Sequence, residues 1–347
     1  MEIGIDSFAS IETKDVATGE DRVKAMQDLI NRIVLADKVG LDYFGVGEHH
    51  KSYQLDSVPS NILSAAAVLT KNIRLSSAVT VLSADDPVRV FQQFSTLDLI
   101  SNGRAEIVAG RGSSIEAYPL FGYNLNDYDA LFEEKLDLLL KVRDNEFITW
   151  KGKFRAPINN LPVYPRPKQE KIPVWRGVGG SPESFVRAGK LGLPLMVAII
   201  GGDTHRFRPL VDLYRKAGEE AGFKPEELIV GVHSLGYVAE TTEQAIEEYA
   251  PGHIKMMNKI GRERGWPPMN IDQFMGQLSP LNSLLLGNPQ EVAEKLVRHS
   301  EALGGVSRFT FQMDVANLSS ENDKLLNSIQ LIGDKVKPLV AELLKNK

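Results

Sequence analysis

Glu2-Ile-Gly-Ile-Asp-Ser-Phe-Ala-Ser-Ile-Glu12 opens the chain as a short apolar strand and then turns away without a glycine-rich loop. An open, doubly wound sheet usually places such a loop directly after its first strand. The other architecture open to alternating strands and helices is a closed (β/α)8 barrel, an α/β fold with a parallel sheet. The rest of the chain keeps that rhythm. Further strand candidates are Tyr43–Glu48, Ile73–Leu82, Arg104–Gly110, Val174–Gly177, Pro194–Ile200, Leu228–Val238 and Ser307–Asp314. Helical periods lie between them. Val23, Met26, Ile30, Ile33 and Val34 recur at helical spacing before Gly40, and Leu325, Ile329, Ile332, Val336, Leu339 and Leu343 share one face near the end.

Such a barrel uses 347 residues, 43% of them hydrophobic, as one domain over 1–347. Two stretches interrupt the rhythm, after the fourth and seventh strands. Residues 147–173 carry Trp150-Lys-Gly-Lys153 and several prolines, which predicts a short hairpin and irregular chain. Residues 250–287 hold Met256, Met257, Trp266, Met269, Phe274 and Met275 among glycines and prolines. On a barrel such an insertion is a candidate lid over the mouth or a helical decoration on its rim. The net charge of -5 argues against a nucleic-acid surface. No apolar run approaches the roughly 20 residues that span a bilayer, and no signal peptide precedes the first strand, so a cytoplasmic protein is expected. Without cysteine there is no disulfide, thiolate metal site or thiol nucleophile.

Two loops carry the donors of a phosphate site. In Gly103-Arg-Ala-Glu-Ile-Val-Ala-Gly-Arg-Gly-Ser-Ser114 a buried strand ends on Arg111, Gly112, Ser113 and Ser114. The guanidinium fork suits phosphate, and the glycines admit a ligand close to the backbone. Val178-Gly-Gly-Ser-Pro-Glu-Ser184 follows the fifth strand. Ser181 reads as an N-cap and Pro182 as the first helical residue, so free backbone N–H groups would face the barrel mouth beside Gly179 and Gly180. The second loop alone is explained by ordinary capping. Together with Arg111 on the neighbouring strand it is not, because both loops open on one face.

Glu48-His49-His50 ends the second strand, and successive strand residues face opposite sides. One imidazole of the pair is therefore expected to aim into the mouth as a donor or proton shuttle, the other to hold the rim, and a metal pair is disfavoured. His205, His233, His253 and His299 show no ligand spacing.

Glu48-His49-His50, Leu82-Ser-Ala-Asp-Asp-Pro-Val-Arg89, Gly103-Arg104 with Gly110-Arg111-Gly112, Gly180-Ser-Pro-Glu-Ser184 and Gly287-Asn-Pro-Gln-Glu-Val292 occur in that order. The ordered set resembles the bacterial-luciferase-like flavin-dependent oxidoreductases over essentially the whole chain. That resemblance implies a barrel that binds FMN. Arg111 would contact the phosphate with Gly112 and Ser113 nearby, and Ser181 and Ser184 would add hydroxyl contacts beside the backbone of Val178, Gly179 and Gly180. His49 would be the catalytic histidine. A non-prolyl cis peptide common in the family maps to Ala78–Val79, beside Thr80, where the flavin ring would rest. The resemblance also implies a monooxygenase that takes reduced FMN from a separate flavin reductase, uses dioxygen on a small-molecule substrate, and forms a homodimer. No nicotinamide fingerprint follows any strand. The alternatives are a deazaflavin-dependent dehydrogenase or reductase on the same barrel and a flavin-binding protein without turnover. An unrelated barrel aldolase or metal hydrolase ranks last.

Overall fold

Eight strands pair in parallel and close on themselves. The computed structural model describes residues 1–11, 16–112, 115–314 and 321–345. The first half of the chain runs β1 (Glu2–Ser7), α1 (Gly19–Lys38), β2 (Tyr43–Val46), α2 (Pro59–Ala67), β3 (Arg74–Ser77), β4 (Thr80–Val81), α3 (Pro87–Ser101) and β5 (Ala105–Gly110). Then come α4 (Ala117–Leu120), α5 (Tyr128–Asp144), the hairpin β6 (Phe147–Trp150) and β7 (Ile158–Pro162), β8 (Val174–Val178), α6 (Pro182–Lys190), β9 (Leu195–Ala198), α7 (Arg208–Glu220) and β10 (Val230–Val238). The last stretch is α8 (Thr242–Arg264), α9 (Ile271–Met275), β11 (Leu285–Gly287), α10 (Pro289–Ala302), β12 (Arg308–Gln312), α11 (Asn322–Leu331) and α12 (Lys337–Lys345).

The barrel order is β1-β2-β3-β5-β8-β9-β10-β12, closed by β12 on β1. This is the (β/α)8 barrel expected from the alternation, with all eight strand candidates present. Two boundaries differ from expectation. The Ile73–Leu82 run is split, because the Ala78–Val79 peptide is cis and separates β3 from β4. The second strand stops at Val46, so Glu48, His49 and His50 lie in the loop beyond it. The face of α1 also shifts. Leu29, Arg32, Ile33 and Ala36 are its buried residues, whereas Val23 is 52% exposed, because only the second half of the helix packs on the barrel.

Strand alternation divides the side chains between core and lumen. Outward residues such as Ile107, Val174, Val197, Val232 and Phe309 join the main core beneath the helices. Inside, one end is closed by charge. Arg308 meets Glu106 through both oxygens (Nη1–Oε1 2.5 Å, Nη2–Oε2 3.2 Å) and Glu2 at 2.7 Å, with its guanidinium 4.4 Å from the rings of both Tyr43 and Trp175. Farther along the lumen, Val108, Trp175 and Met196 form an apolar layer against which Val79 packs.

The 147–173 stretch is the predicted antiparallel hairpin. The 250–287 stretch is mostly ordered helix. It includes the second half of α8, which carries Pro251 internally, then α9, and ends in β11 beside β10. Phe274 is fully buried there. Asn282 bridges to Asp203 and Leu281 accepts from the Thr204 amide, so the segment grips the loop after β9. Lys259 of α8 stands 3.2 Å over the ring of Tyr53, in the loop after β2. The insertion thus touches loops on opposite sides of the mouth. Among the described residues no helix is long and apolar enough to cross a membrane.

Candidate active site

The loops after β1 and β2 are laced together: Ile11 donates to Tyr53, Leu55 donates to Ala9, and Ser10 bridges Gln54. This sets Phe8, His49 and Asp56 side by side. His49 Nδ1 lies 2.8 Å from Asp56 Oδ2. An ionised carboxylate only accepts, so the pair places the Nδ1 proton on the histidine and leaves Nε2 for other work. Among the described residues nothing polar engages Nε2. Burial pushes the Asp56 carboxyl up, opposed by its hydrogen bond to His49. Gly47 makes the fit: a Cβ there would stand 2.6 Å from Phe8, 2.7 Å from Asp56 Oδ2 and 3.1 Å from His49 Cε1. Asp314, at the end of β12, accepts from Ser7 Oγ and the Phe8 amide and lies 3.5 Å from the buried Arg32. It ties the last strand to the first behind this cluster.

His50 goes elsewhere. Its Nε2 lies 3.4 Å from Glu48 Oε1, and its ring meets Phe121 edge-on at 5.2 Å. Glu48 Oε2 accepts from the Val81 amide at 2.8 Å, which pins the loop to β4. The two histidines take different partners, and loop hydrogen bonds do the sorting rather than strand alternation.

Opposite them is the donor side. The backbone of Arg111 and Gly112 is clamped by two phenols: Tyr118 donates to the Arg111 carbonyl at 3.1 Å and Tyr128 to the Gly112 carbonyl at 2.7 Å. The Arg111 guanidinium lies 5.1 Å over the Tyr128 ring and donates to Asp129. Asp129, Glu133 and Asp137 form an acidic row at four-residue spacing on α5. Below Arg111 this row takes Arg176 at 3.1 Å and Arg187 at 2.8 Å, the latter from α6. Helix α5 therefore holds both loops in place on the adjacent strands β5 and β8. Ser181 occupies the cap position and Pro182 the first helical one, but Ser181 makes no capping bond. Its hydroxyl donates to Glu183 Oε2 at 2.8 Å, and its Oγ accepts from no amide of the first turn. Ser184 is buried at the third helical position. Gly179 and Gly180 face open space, with nothing within 4 Å of a Cβ built on either. Ser113 lies outside the described residues.

Between the two sides runs the cis bond. A Cβ on Gly110 would stand 2.6 Å from Val79 Cγ2, and one on Gly177 2.9 Å from Val79 Cγ1, so these two glycines admit the Val79 side chain. The Thr80 hydroxyl is buried next to it with no partner. Among the described residues no group of His, Asp or Glu is arranged to hold a metal ion. A groove of about 470 Å³ between α10 and α12, lined by Glu240, Asn288 and Lys335 among others, lies outside the barrel and contains none of these residues.

A family model described as luciferase-like monooxygenase matches residues 1–306. This chain belongs to that family. Among curated relatives, the chain is 26% identical over 346 residues to the N-acetyl-S-alkylcysteine monooxygenase of Bacillus subtilis, covering 92% of this chain and 95% of that one. Among solved structures, monooxygenase RslO1 from Streptomyces bottropensis superposes with a TM-score of 0.83 at 20% identity, over 97% and 99% of the two chains. The oxygenating constituent of 3,6-diketocamphane monooxygenase from Pseudomonas putida, solved with FMN, gives 0.76 at 21% identity over 98% of each. The family fold also carries enzymes of another cofactor: the coenzyme F420-dependent tetrahydromethanopterin reductase of Methanopyrus kandleri gives 0.71 at 18% identity, over 97% and 98%.

The mouth of this luciferase-like barrel holds groups that the sequence reading passed over: Asp56, Phe8, and a second carboxylate–histidine pair of Asp6 and His233, 2.6 Å apart. Asp6 was legible as an inward position of β1 two residues beyond Gly4, and His233 as one on β10 two beyond Gly231. The signal was strand alternation.

Proposed function

We propose that this luciferase-like protein is a flavin-dependent monooxygenase that acts on a small organic molecule with reduced FMN and dioxygen. The observation that carries the reading is the arrangement across the mouth, with the His49–Asp56 pair on one side and the Arg111 and 178–184 loops on the other. The residues fit FMN. Gly179 and Gly180 leave room for an anion at the start of α6, and Arg111 spends only part of its donor fork on Asp129. Val79 offers an apolar floor, and the Thr80 hydroxyl has no partner among the described residues. Bound reduced FMN supplies the two electrons that let one oxygen atom of dioxygen enter the substrate and the other leave as water.

The chain supplies the rest. Arg111 and the first turn of α6 neutralise the phosphate, with Gly112, Ser113, Val178, Ser181 and Ser184 around it. Val79, Val108, Trp175 and Met196 keep water from the floor. His49 moves a proton at Nε2 while Asp56 keeps Nδ1–H in place. The 250–287 segment, which touches loops on both sides of the mouth, serves as the lid. Exposed Val68 and Leu69 at the end of α2, with Leu99 and Ile100 on the adjoining α3, support a homodimer. A separate flavin reductase in the cytoplasm supplies the cofactor.

The first test is direct. Purified protein mixed anaerobically with reduced FMN is expected to bind it saturably and to alter the rate of oxygen consumption on admission of air. Parallel reconstitution with reduced deazaflavin separates the hydride-transferring alternative, which binds that cofactor and ignores dioxygen. Failure to bind reduced FMN defeats the proposal. For Arg111→Ala, loss of a charged hydrogen bond worth roughly 1.5–3 kcal/mol weakens FMN binding about ten- to a hundredfold. Riboflavin, which has no phosphate, loses little. Equal losses in a fluorescence titration would make Arg111 a structural residue only.

A further inference from the structure

The lumen contains a second histidine built like His49. His233 Nδ1 lies 2.6 Å from Asp6 Oδ2, and the same oxygen accepts the hydroxyl of Thr310. The three come from β10, β1 and β12, all on inward positions. Phe8 stands between the two histidines, its ring centroid 4.6 Å from that of His49 and 5.9 Å from that of His233. Both imidazoles thus have Nδ1 fixed by a buried carboxylate and share one aromatic neighbour at the mouth.

Two buried acceptor oxygens near His233 are left without a partner. Asp6 is 2% exposed, and among the described residues its Oδ1 has no hydrogen-bond partner. Gln312, the register partner of Asp6, is 2% exposed and also buries its carbonyl oxygen without one. With Nδ1–H committed to Asp6, the Nε2-deprotonated form of the imidazole has its lone pair at Nε2. Gly45 preserves this arrangement, because a Cβ there would stand 2.2 Å from Asp6 Oδ1. Buried acceptors left unpaired are costly, and a ligand that brings donors relieves the cost. Along the lumen, Val79, Val108, Trp175 and Met196 offer a purely apolar wall.

The geometry points to a substrate subsite at His233: Nε2 accepts a hydrogen bond from an O–H or N–H group of the substrate, whose apolar body lies against Phe8. Asp6 is the positioning residue that fixes the tautomer. The substrate class is therefore a mainly apolar molecule with a hydrogen-bond donor. This inference rests on the reading of the mouth as a monooxygenase site, but its test needs no cofactor.

The probes are phenol, an apolar ring with one donor, and toluene, the same ring without it. In full-length protein labelled with ¹⁵N-histidine, His233 is expected to be protonated at Nδ1, and phenol is expected to shift its Nε2 resonance saturably while toluene does not. His233→Phe, which keeps a ring but removes the acceptor, is expected to weaken phenol at least tenfold and to leave toluene within twofold. His233→Gln, which restores an acceptor oxygen, is expected to recover most of the phenol affinity. Equal losses for both probes in the Phe variant, or no phenol response at Nε2 in the wild-type protein, would overturn the subsite. The wild-type spectrum decides the matter should the Phe variant fail to fold. A reduced-FMN titration of the same samples keeps the two proposals apart: a phenol response without FMN binding leaves the subsite standing and removes the monooxygenase.

Discussion

Glu106→Ala is expected to lower the free energy of unfolding by about 3–5 kcal/mol, the scale for removing one partner of a buried ion pair. Glu106 and Arg308 are each 2% exposed, at the closed end of the lumen. Burial opposes the charge of the guanidinium, yet Coulombic attraction and hydrogen bonding from Glu106, with help from Glu2 and Tyr43, hold its pKa above the ordinary arginine value. With Glu106 gone, Arg308 keeps Glu2, whose side chain is 45% exposed and a poorer substitute. The faces of Tyr43 and Trp175 remain but do not replace a bidentate carboxylate. Glu106→Gln, which keeps one acceptor oxygen, should cost less. Guanidinium chloride unfolding monitored by tryptophan fluorescence reads both. A loss under about 1 kcal/mol for the alanine variant would show that Arg308 finds adequate partners without Glu106.

His49→Ala is expected to reduce coupled product formation by roughly 10²–10⁴, the usual contribution of a positioned acid or base, while binding of reduced FMN stays unchanged. The side chain has no part in holding the loops that line the phosphate side, so its removal touches proton movement and leaves cofactor capture alone. Asp56→Asn probes the same pair from behind. Asparagine can donate to Nδ1, which moves the imidazole proton to Nε2, and a loss of at least tenfold is expected although the shape of the site is kept. The ratio of oxygenated product to reduced FMN consumed reads the effect, with uncoupled turnover appearing as peroxide. Full coupling in the His49 variant would remove the residue from the chemistry.

The barrel was legible because its signal is local. Most of the eight strands are short runs rich in apolar residues, and each lies within a few residues of its expected place. The errors sit where tertiary structure overrides the local pattern. The Ile73–Leu82 run reads as one strand because small and β-branched residues, Ser76 to Val81, continue through it without glycine or proline, and nothing in residue type marks the break there. Ser181 reads as a cap because serine before proline commonly is one, but in the fold its hydroxyl is turned onto Glu183 and its Oγ accepts no helix amide. The donor loops at Arg111 and 178–184 stand out because glycine, arginine and serine cluster in sequence. Asp56 and His233 do not, since their roles arise from contacts seven and 227 residues away in the chain. The insertion at 250–287 was visible as a break in rhythm, but its grip on the loops after β2 and β9 depends on where a long helix happens to lead.

The charged closure formed by Glu2, Glu106 and Arg308 also dictates traffic. A vessel stoppered at its base by an ion pair with an aromatic ring on either side admits nothing from that end. Whatever rests deepest must arrive first and depart last. Any ligand seated in the lumen therefore leaves across the threshold by which it entered.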